Sequence, residues 1–283
     1  MPRASAGPRV ETVLTGLAMG ESPRWHDGRL WVSDWGAREI VALDRDGTRE
    51  VIVRTSFDLP FCIDWLPNGH LLVVSGREGL LLRRQADESL ALHAELRQLG
   101  EGLWNEIVVD GRGNIYVNGT PGIALVRPDG AMTLFAETFA FPNGMAVTDD
   151  NKTLIIAESH GKRLTAFDIG ADGTLARRRV WADLVTGVPD GICVDAENAV
   201  WYADVPNKRC ARVREGGDVL QTIDLDRGCF ACMLGGDGIG RGRHTLFIVA
   251  AEWRGMDQIA EVARARTGRV LALEVSVAGA GWP

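Results

Sequence analysis

The sequence predicts an all-β chain that folds as a six-bladed β-propeller with four-stranded blades. Three observations carry this prediction: an apolar strand pattern recurs six times, hairpin turn residues follow the copies, and helical periodicity is almost absent. We expect the whole chain, residues 1–283, to form one propeller domain, with residues 1–8 as a flexible N-terminal tail.

The repeated strand follows a turn that contains Gly or Asp in most copies. Its six copies read "GRLWVSDW" from Gly28, "GHLLVVSG" from Gly69, "GNIYVNGT" from Gly113, "KTLIIAES" from Lys152, "NAVWYADV" from Asn198 and "HTLFIVAAE" from His244. Their starts are 41, 44, 39, 46 and 46 residues apart. This interval is the length of one propeller blade, so six copies predict six blades.

Further strand patterns follow the first five copies and end in D-G or G-G, the residues of hairpin turns; they cover residues 39–47, 79–87, 122–130, 163–173 and 209–217. The stretch 257–266 has weak helical periodicity, and we expect one or two helical turns there, in a loop of the last blade. A propeller must close its ring. We therefore expect residues 9–16 to pair with residues 268–275 in the last blade, which hides both strand edges.

Composition narrows the function classes. The net charge is −7 with the charges interspersed, which argues against a nucleic-acid partner, since such proteins need a basic face. No segment reaches the ~18 apolar residues of a membrane span, and the N-terminus has no apolar stretch typical of a signal peptide. Five cysteines, an odd number, suit reduced thiols. We expect a cytoplasmic monomer or small homo-oligomer without membrane contact.

A polar or thiol residue precedes each repeated strand by about ten positions, within a shorter apolar segment. The six residues are Glu21, Cys62, Asn105, Asn143, Asp190 and Cys232. Because the innermost strand of each blade lines the channel, we expect these residues to converge on the propeller axis. Glu21, Asn143 and Asp190 are hard oxygen donors, too few to fill the coordination shell of a cation. They predict a metal site with positions open for water and substrate.

Simpler explanations exist for parts of this pattern. The P-N-G and P-D-G segments that contain Asn143 and Asp190 are also ordinary turn sequences. Ser159 and Lys162 have the spacing of a Ser/Lys hydrolase, but they follow a strand, so we expect a turn at the blade edge. The Gly-rich stretch 234–244 fits no phosphate-binding motif and predicts a loop.

Four motifs together resemble the senescence-marker-protein (regucalcin)/gluconolactonase family. They are "GESPRW", "NEIVVDGRGNIYV", "FPNGMAVTDDNKTLIIAES" and "VPDGICVDAENAVWYADV", and the resemblance runs from about residue 10 to the C-terminus. It implies a propeller that hydrolyses lactones with one divalent cation. It also implies that Glu21, Asn143 and Asp190 bind the metal, and that Asn105 contacts the substrate, with Glu106 in place of the usual Asp.

Two departures from the family pattern concern the substrate. Sugar-acid lactonases of the family often carry an Arg where this chain has Leu103, and some carry an acid after the segment matching Gly119-Thr120, which is absent here. Leu103, Trp104 and Phe141 are therefore expected, with Asn105, to form a more apolar substrate pocket.

The resulting hypothesis is a metal-dependent lactonase that opens a sugar lactone or a more apolar small lactone with metal-activated water. We expect Asp190 and Asn105 to be the catalytic residues, with Asp190 as general base. A metal-bound hydroxide is the competing nucleophile. The cation would be calcium, zinc, manganese or iron(II). Two alternatives stay open: a related esterase or organophosphate hydrolase on the same metal site, and a non-catalytic ligand-binding propeller.

Overall fold

Six four-stranded antiparallel sheets build the protein, which confirms the six-bladed propeller predicted from the sequence. The computed structural model describes residues 9–44, 47–236 and 244–280. The predicted tail, residues 1–8, and most of the Gly-rich stretch 234–244 lie outside these ranges. No helix within them is long and apolar enough to cross a membrane.

The strands are numbered along the chain. The first twelve are β1 Glu11–Leu17, β2 Gly20–His26, β3 Arg29–Asp34, β4 Glu39–Leu43, β5 Arg49–Arg54, β6 Phe61–Trp65, β7 Leu71–Ser75, β8 Leu80–Arg84, β9 Leu90–Glu95, β10 Trp104–Val109, β11 Ile115–Gly119 and β12 Gly122–Val126. The others are β13 Met132–Phe135, β14 Pro142–Val147, β15 Thr153–Glu158, β16 Arg163–Ile169, β17 Leu175–Asp183, β18 Pro189–Val194, β19 Val200–Asp204, β20 Arg209–Val213, β21 Val219–Asp224, β22 Gly228–Gly235, β23 His244–Ala251 and β24 Gly268–Val275.

Blades one to five are each made of four consecutive strands: β2–β5, β6–β9, β10–β13, β14–β17 and β18–β21. Blade six has the order β1-β24-β23-β22, so the N-terminal strand closes the ring as expected. Glu11 lies opposite Ala272 and Leu17 opposite Gly268 in this closing ladder. Every blade then has a neighbour on both sides, and the ring has no open seam between its first and last blades.

The six repeated apolar patterns are the second strands of the blades, and the shorter segments before them are the inner strands. All residues of β7 and β19 are buried, because a blade packs against the next blade on both of its faces. Such strands read as continuous apolar runs rather than as alternating patterns.

The predicted helical stretch is also present. A 3₁₀ turn at Met256–Gln258 leads into α1, Ile259–Ala265, which connects β23 to β24 in the last blade. The five cysteines are free and buried, as the reduced-thiol prediction required.

The inner strands of blades four, five and six approach each other too closely for side chains at two positions. A Cβ on Gly144 of β14 would lie 2.5 Å from the main-chain oxygen of Asp190 on β18. A Cβ on Gly191 would lie 2.5 Å from Cβ of Ala231 on β22. The glycines of P-N-G and P-D-G are therefore required by strand packing, and not only by turn geometry.

We expect Gly191→Ala to lower the free energy of unfolding by roughly 1–3 kcal/mol, because the added methyl group overpacks the contact between β18 and β22. Urea denaturation measures the change. Gly100→Ala is the control: the nearest atom there is a Pro121 side-chain carbon at 3.1 Å, so we expect a smaller loss. Equal losses at the two positions would contradict this account of the inner strands.

Candidate active site

Five of the six residues predicted to converge occupy one equivalent position in their blades. Each is the second residue of an inner strand; they are Glu21, Cys62, Asn105, Asn143 and Asp190. The inner strands pack side by side around the axis. These residues therefore lie at the same end of the central channel, where the inner strands begin.

Cys232 is the exception, and its placement in the ring was wrong. Gly191 of β18 packs against Ala231 of β22, so the residue of β22 that matches Asp190 is Phe230, two positions before Cys232. Cys232 lies further along β22, opposite Ile248, with its Sγ atom 4.0 Å from Sγ of Cys193. It is buried in the apolar core between blades five and six.

Two carboxylates of the ring share a buried environment with a third acid. Glu21 is buried, and burial raises its pKa well above the usual value, with further increases from the negative charges of Asp190 and Glu106. The pKa of Asp190 is also raised by burial and by Glu106, while a hydrogen bond from the Asn143 side chain opposes the increase. Within the described ranges, no Arg, Lys or His contributes to either shift. A cation at this position would relieve the repulsion.

The donor set fits a hard divalent cation. Two carboxylates and one amide provide oxygen ligands, and Asn143 and Asp190 are partly exposed, which leaves room for water or substrate. Burial raises the pKa of the Cys62 thiol, which disfavours the thiolate form that binds metals. No group of three His, Cys, Asp or Glu side chains suited to a metal ion occurs in the described part of the chain, so the amide is essential to the set.

Arg24, which the sequence did not single out, provides the counter-charge for the third acid. It is 4% exposed, and its Nη2 atom donates to Oε1 of Glu106 at 3.1 Å and to the carbonyl of Ile107 at 2.8 Å. Ser22 Oγ lies 3.3 Å from the same Glu106 oxygen. Burial disfavours the charge of Arg24, but Glu106 and Asp64 raise its pKa. Arg24 and Ser22 of blade one thus contact the carboxylate of Glu106, and Arg24 balances its charge. Neither Glu21 nor Asp190 has such a counter-charge among the described residues.

Two further polar residues connect the neighbouring blades. Asn118 Oδ1 accepts from the main-chain N–H of Glu106 at 3.1 Å, and Asn118 Nδ2 donates to the main-chain oxygen of Asn143 at 2.5 Å. Asn143 Nδ2 donates to Ser159 Oγ at 3.4 Å, and Ser159 Oγ donates to the carbonyl of Pro189 at 2.7 Å. Residues 159–162 form the expected turn after β15, but Ser159 is buried and its hydroxyl contacts the site, which the sequence did not predict. One signal could have identified it: Ser159 is a polar residue that directly follows the apolar second strand β15, next to Asn143 of the inner strand.

Leu103 and Phe141 are exposed apolar side chains next to the site. Leu103 is 42% exposed, one residue before β10, and Phe141 is 51% exposed, one residue before β14. Phe141 has φ +63° and its ring stacks on His160 with centroids 4.7 Å apart. A positive φ is unusual for a bulky residue and marks a strained backbone held by its surroundings. Both side chains are available to a substrate.

Trp104 is not available, and its expected contact with substrate is a correction. Its side chain is 0% exposed and packs in the core cluster of blades two and three, with Leu81 and Val117. As the first residue of β10 it lies opposite Gly119, and its indole faces away from the site because neighbouring strand residues alternate in direction.

A cavity of about 850 Å³ lies elsewhere, between blades one and six. Trp25, Leu30 and Phe247 contribute to its lining. Trp25 and Leu30 form the hairpin end of β2 and β3, and Glu21 is at the other end of β2. This cavity is therefore separate from the ring of polar residues.

The fold and the site define a class of protein: a six-bladed propeller that carries its polar functional groups on the inner strands at one end of the channel. The chain belongs to the SMP-30/Gluconolactonase/LRE-like family, whose sequence profile matches residues 19–252. The resemblance seen in the four motifs is thereby confirmed.

Relatives cover most of the chain at low identity. Pentonolactonase XacC of Haloferax volcanii is 25% identical over 265 residues, spanning 82% of this chain and 87% of the relative. A luciferin-regenerating enzyme superposes with a TM-score of 0.80 at 18% identity, covering 96% of this chain and 97% of its own. A calcium-binding protein, regucalcin, from Agrobacterium tumefaciens gives a TM-score of 0.77 at 21% identity, covering 98% and 97%. These two structures establish the fold.

The raised pKa values predict how stability depends on pH. Glu21 and Asp190 bind protons more tightly in the folded state, so their contribution to stability is complete below the usual values of 4.5 and 3.8 and is lost as pH rises through the raised values. For chelator-treated protein, we therefore expect the urea midpoint to fall as the pH rises above the usual carboxyl pKa values. The urea midpoint of the double variant Glu21→Gln, Asp190→Asn should fall less over the same pH range. Identical pH profiles for the wild type and the double variant would contradict the raised pKa values of Glu21 and Asp190.

Proposed function

We propose that this chain is a divalent-cation-dependent lactone hydrolase. The observation that carries the proposal is the convergence of Glu21, Asn143 and Asp190 at one end of the channel, where neither acid has a protein cation beside it among the described residues. Hard oxygen donors favour calcium or manganese over zinc. The lactonase name of the Haloferax relative and the calcium-binding description of the Agrobacterium protein support the same reaction and the same type of ion.

Glu21, Asn143 and Asp190 would hold the ion, which when bound supplies a Lewis acid for the lactone carbonyl and lowers the pKa of water. Asp190, partly exposed at the channel end, accepts a proton from the attacking water. A bond forms between the water oxygen and the acyl carbon, and the bond from that carbon to the ring oxygen breaks. Asp190 returns the proton to the ring oxygen, which gives a hydroxy acid. Asn105 orients the substrate by donating a hydrogen bond from its amide.

The side chains at the mouth favour a small lactone with an apolar substituent. Leu103 and Phe141 are exposed beside the site and present hydrocarbon surface. A sugar lactone needs partners for its hydroxyl groups, and neither residue supplies one. Phe141 is also fixed by its stack on His160, so its contact surface is pre-formed.

The decisive test titrates metal-stripped protein with calcium, manganese, zinc and iron(II), and follows acid release from a panel of γ- and δ-lactones. We expect cation-dependent release, and a loss of about 10²–10⁴-fold in kcat for Asp190→Ala, because the proton acceptor and one ligand are removed. Asp218→Ala is the control: Asp218 is exposed and pairs with the exposed Arg214, so activity should be unchanged.

Other outcomes separate the alternatives. Cation binding without lactone opening would contradict the lactonase and direct the assay to esters and phosphoesters. Failure to bind any cation would contradict the metal site and leave a ligand-binding propeller.

The substrate preference is tested at Leu103. We expect Leu103→Arg to raise kcat/KM for sugar lactones relative to apolar lactones by roughly tenfold, because a guanidinium at the mouth can bind hydroxyl or carboxylate groups. Leu103→Met preserves the apolar surface and should keep the original preference. An unchanged ratio in the Arg variant would exclude Leu103 from the substrate contact.

A further inference from the structure

We infer that Ser159 is a positioning residue that determines which atom of the Asn143 amide is offered to the cation. This inference rests on the proposed function, since it assigns a role toward the ion held by Glu21, Asn143 and Asp190. An amide carries an oxygen that binds hard cations and an NH₂ group that does not. A flipped Asn143 would therefore remove one ligand without any change in covalent structure.

The hydrogen bonds at Ser159 permit only one amide orientation. A hydroxyl has a single proton, and Ser159 donates it to the carbonyl of Pro189 at 2.7 Å. That carbonyl can only accept. The Ser159 oxygen is left as an acceptor, so the atom of Asn143 that faces it at 3.4 Å must be Nδ2. The identity of the facing atom follows from proton counting rather than from the assigned positions of nitrogen and oxygen.

The rest of the Asn143 environment agrees with this orientation. With Nδ2 directed at Ser159, Oδ1 is the amide atom that remains for the cation. Asn118 Nδ2 fixes the main chain of Asn143 by donating to its carbonyl at 2.5 Å. The side chain and backbone of this ligand are thus held from two different strands.

Ser159 also connects two predicted ligands. It follows the last residue of β15, receives a hydrogen bond from Asn143 of β14, and donates to Pro189, the residue immediately before Asp190 on β18. Its side chain is buried beside the site, and Lys162 is exposed. With its proton committed to Pro189, Ser159 acts on the position of Asn143 and Asp190 rather than as a nucleophile.

The experiment measures calcium and manganese affinity of metal-stripped full-length protein by isothermal titration calorimetry. Removing a residue that orients a metal ligand typically costs about 10–100-fold in affinity, and we expect Ser159→Ala to fall in that range. Ser159→Thr retains the hydroxyl and should keep most of the affinity. Ser33→Ala is the matched control, because Ser33 is a buried serine of β3 whose hydroxyl has no hydrogen-bond partner within the described residues.

A double-mutant cycle distinguishes amide orientation from general loss of structure. In Asn143→Asp both terminal atoms are oxygens, so flipping no longer matters. We expect Ser159→Ala to change the cation affinity of the Asn143→Asp background by less than about threefold. Thermal unfolding of each metal-stripped variant checks folding. If Ser159→Ala does not fold, Ser159→Cys serves instead, since a thiol is a weak acceptor of similar shape.

The failures of the two proposals are distinguishable. A wild-type protein that binds no cation overturns the proposed function. A wild-type protein that binds a cation, with equal affinity in Ser159→Ala, overturns the inference alone. An equal loss from Ser159→Ala in the wild-type and Asn143→Asp backgrounds also overturns it, because the effect would then not depend on which amide atom faces the ion.

Discussion

The close approach of the inner strands is the constraint on which the site depends. Gly144 and Gly191 allow the main chains of β14, β18 and β22 to come within van der Waals contact of each other. The residue before each glycine is then brought to the same end of the same channel. Asn143 and Asp190, 47 positions apart in sequence, come close together because the glycine that follows each of them has no Cβ to separate the strands.

Repetition made the fold readable from sequence. Regular spacing of apolar strands predicted the blades, and the partner of the N-terminal strand followed from the need to close a ring. The positions of individual residues in the site were predicted less accurately than the blades. Cys232 was misplaced because the residue of β22 that matches Asp190 is Phe230, an apolar residue that a search for polar or thiol residues does not detect. Trp104 was misplaced because its neighbours along the strand point alternately toward the site and the core.

The polar network around the site was beyond the sequence for a different reason. Arg24 and Glu106 are 82 positions apart, and Ser159 contacts a carbonyl 30 positions away. No local pattern encodes such a pair. Each partner is an ordinary polar residue when considered alone. Burial makes a partner necessary, because a buried polar group is stable only when the fold supplies a hydrogen-bond or ion-pair partner. The three acids illustrate this: among the described residues, Arg24 pairs with Glu106, whereas no protein cation pairs with Glu21 or Asp190.

The ladder between β1 and β24 also determines how the ring responds to mechanical load. Glu11, near the start of the first strand, lies opposite Ala272, near the end of the last one. The chain thus enters and leaves blade six at the same end of this ladder. A force applied between these two points acts across the hydrogen bonds and breaks them one after another, as in unzipping. Shearing, which loads all hydrogen bonds at once, would need the two points of force to lie at opposite ends of the ladder. This closing ladder is therefore loaded in the unzipping geometry, in which its hydrogen bonds break one at a time.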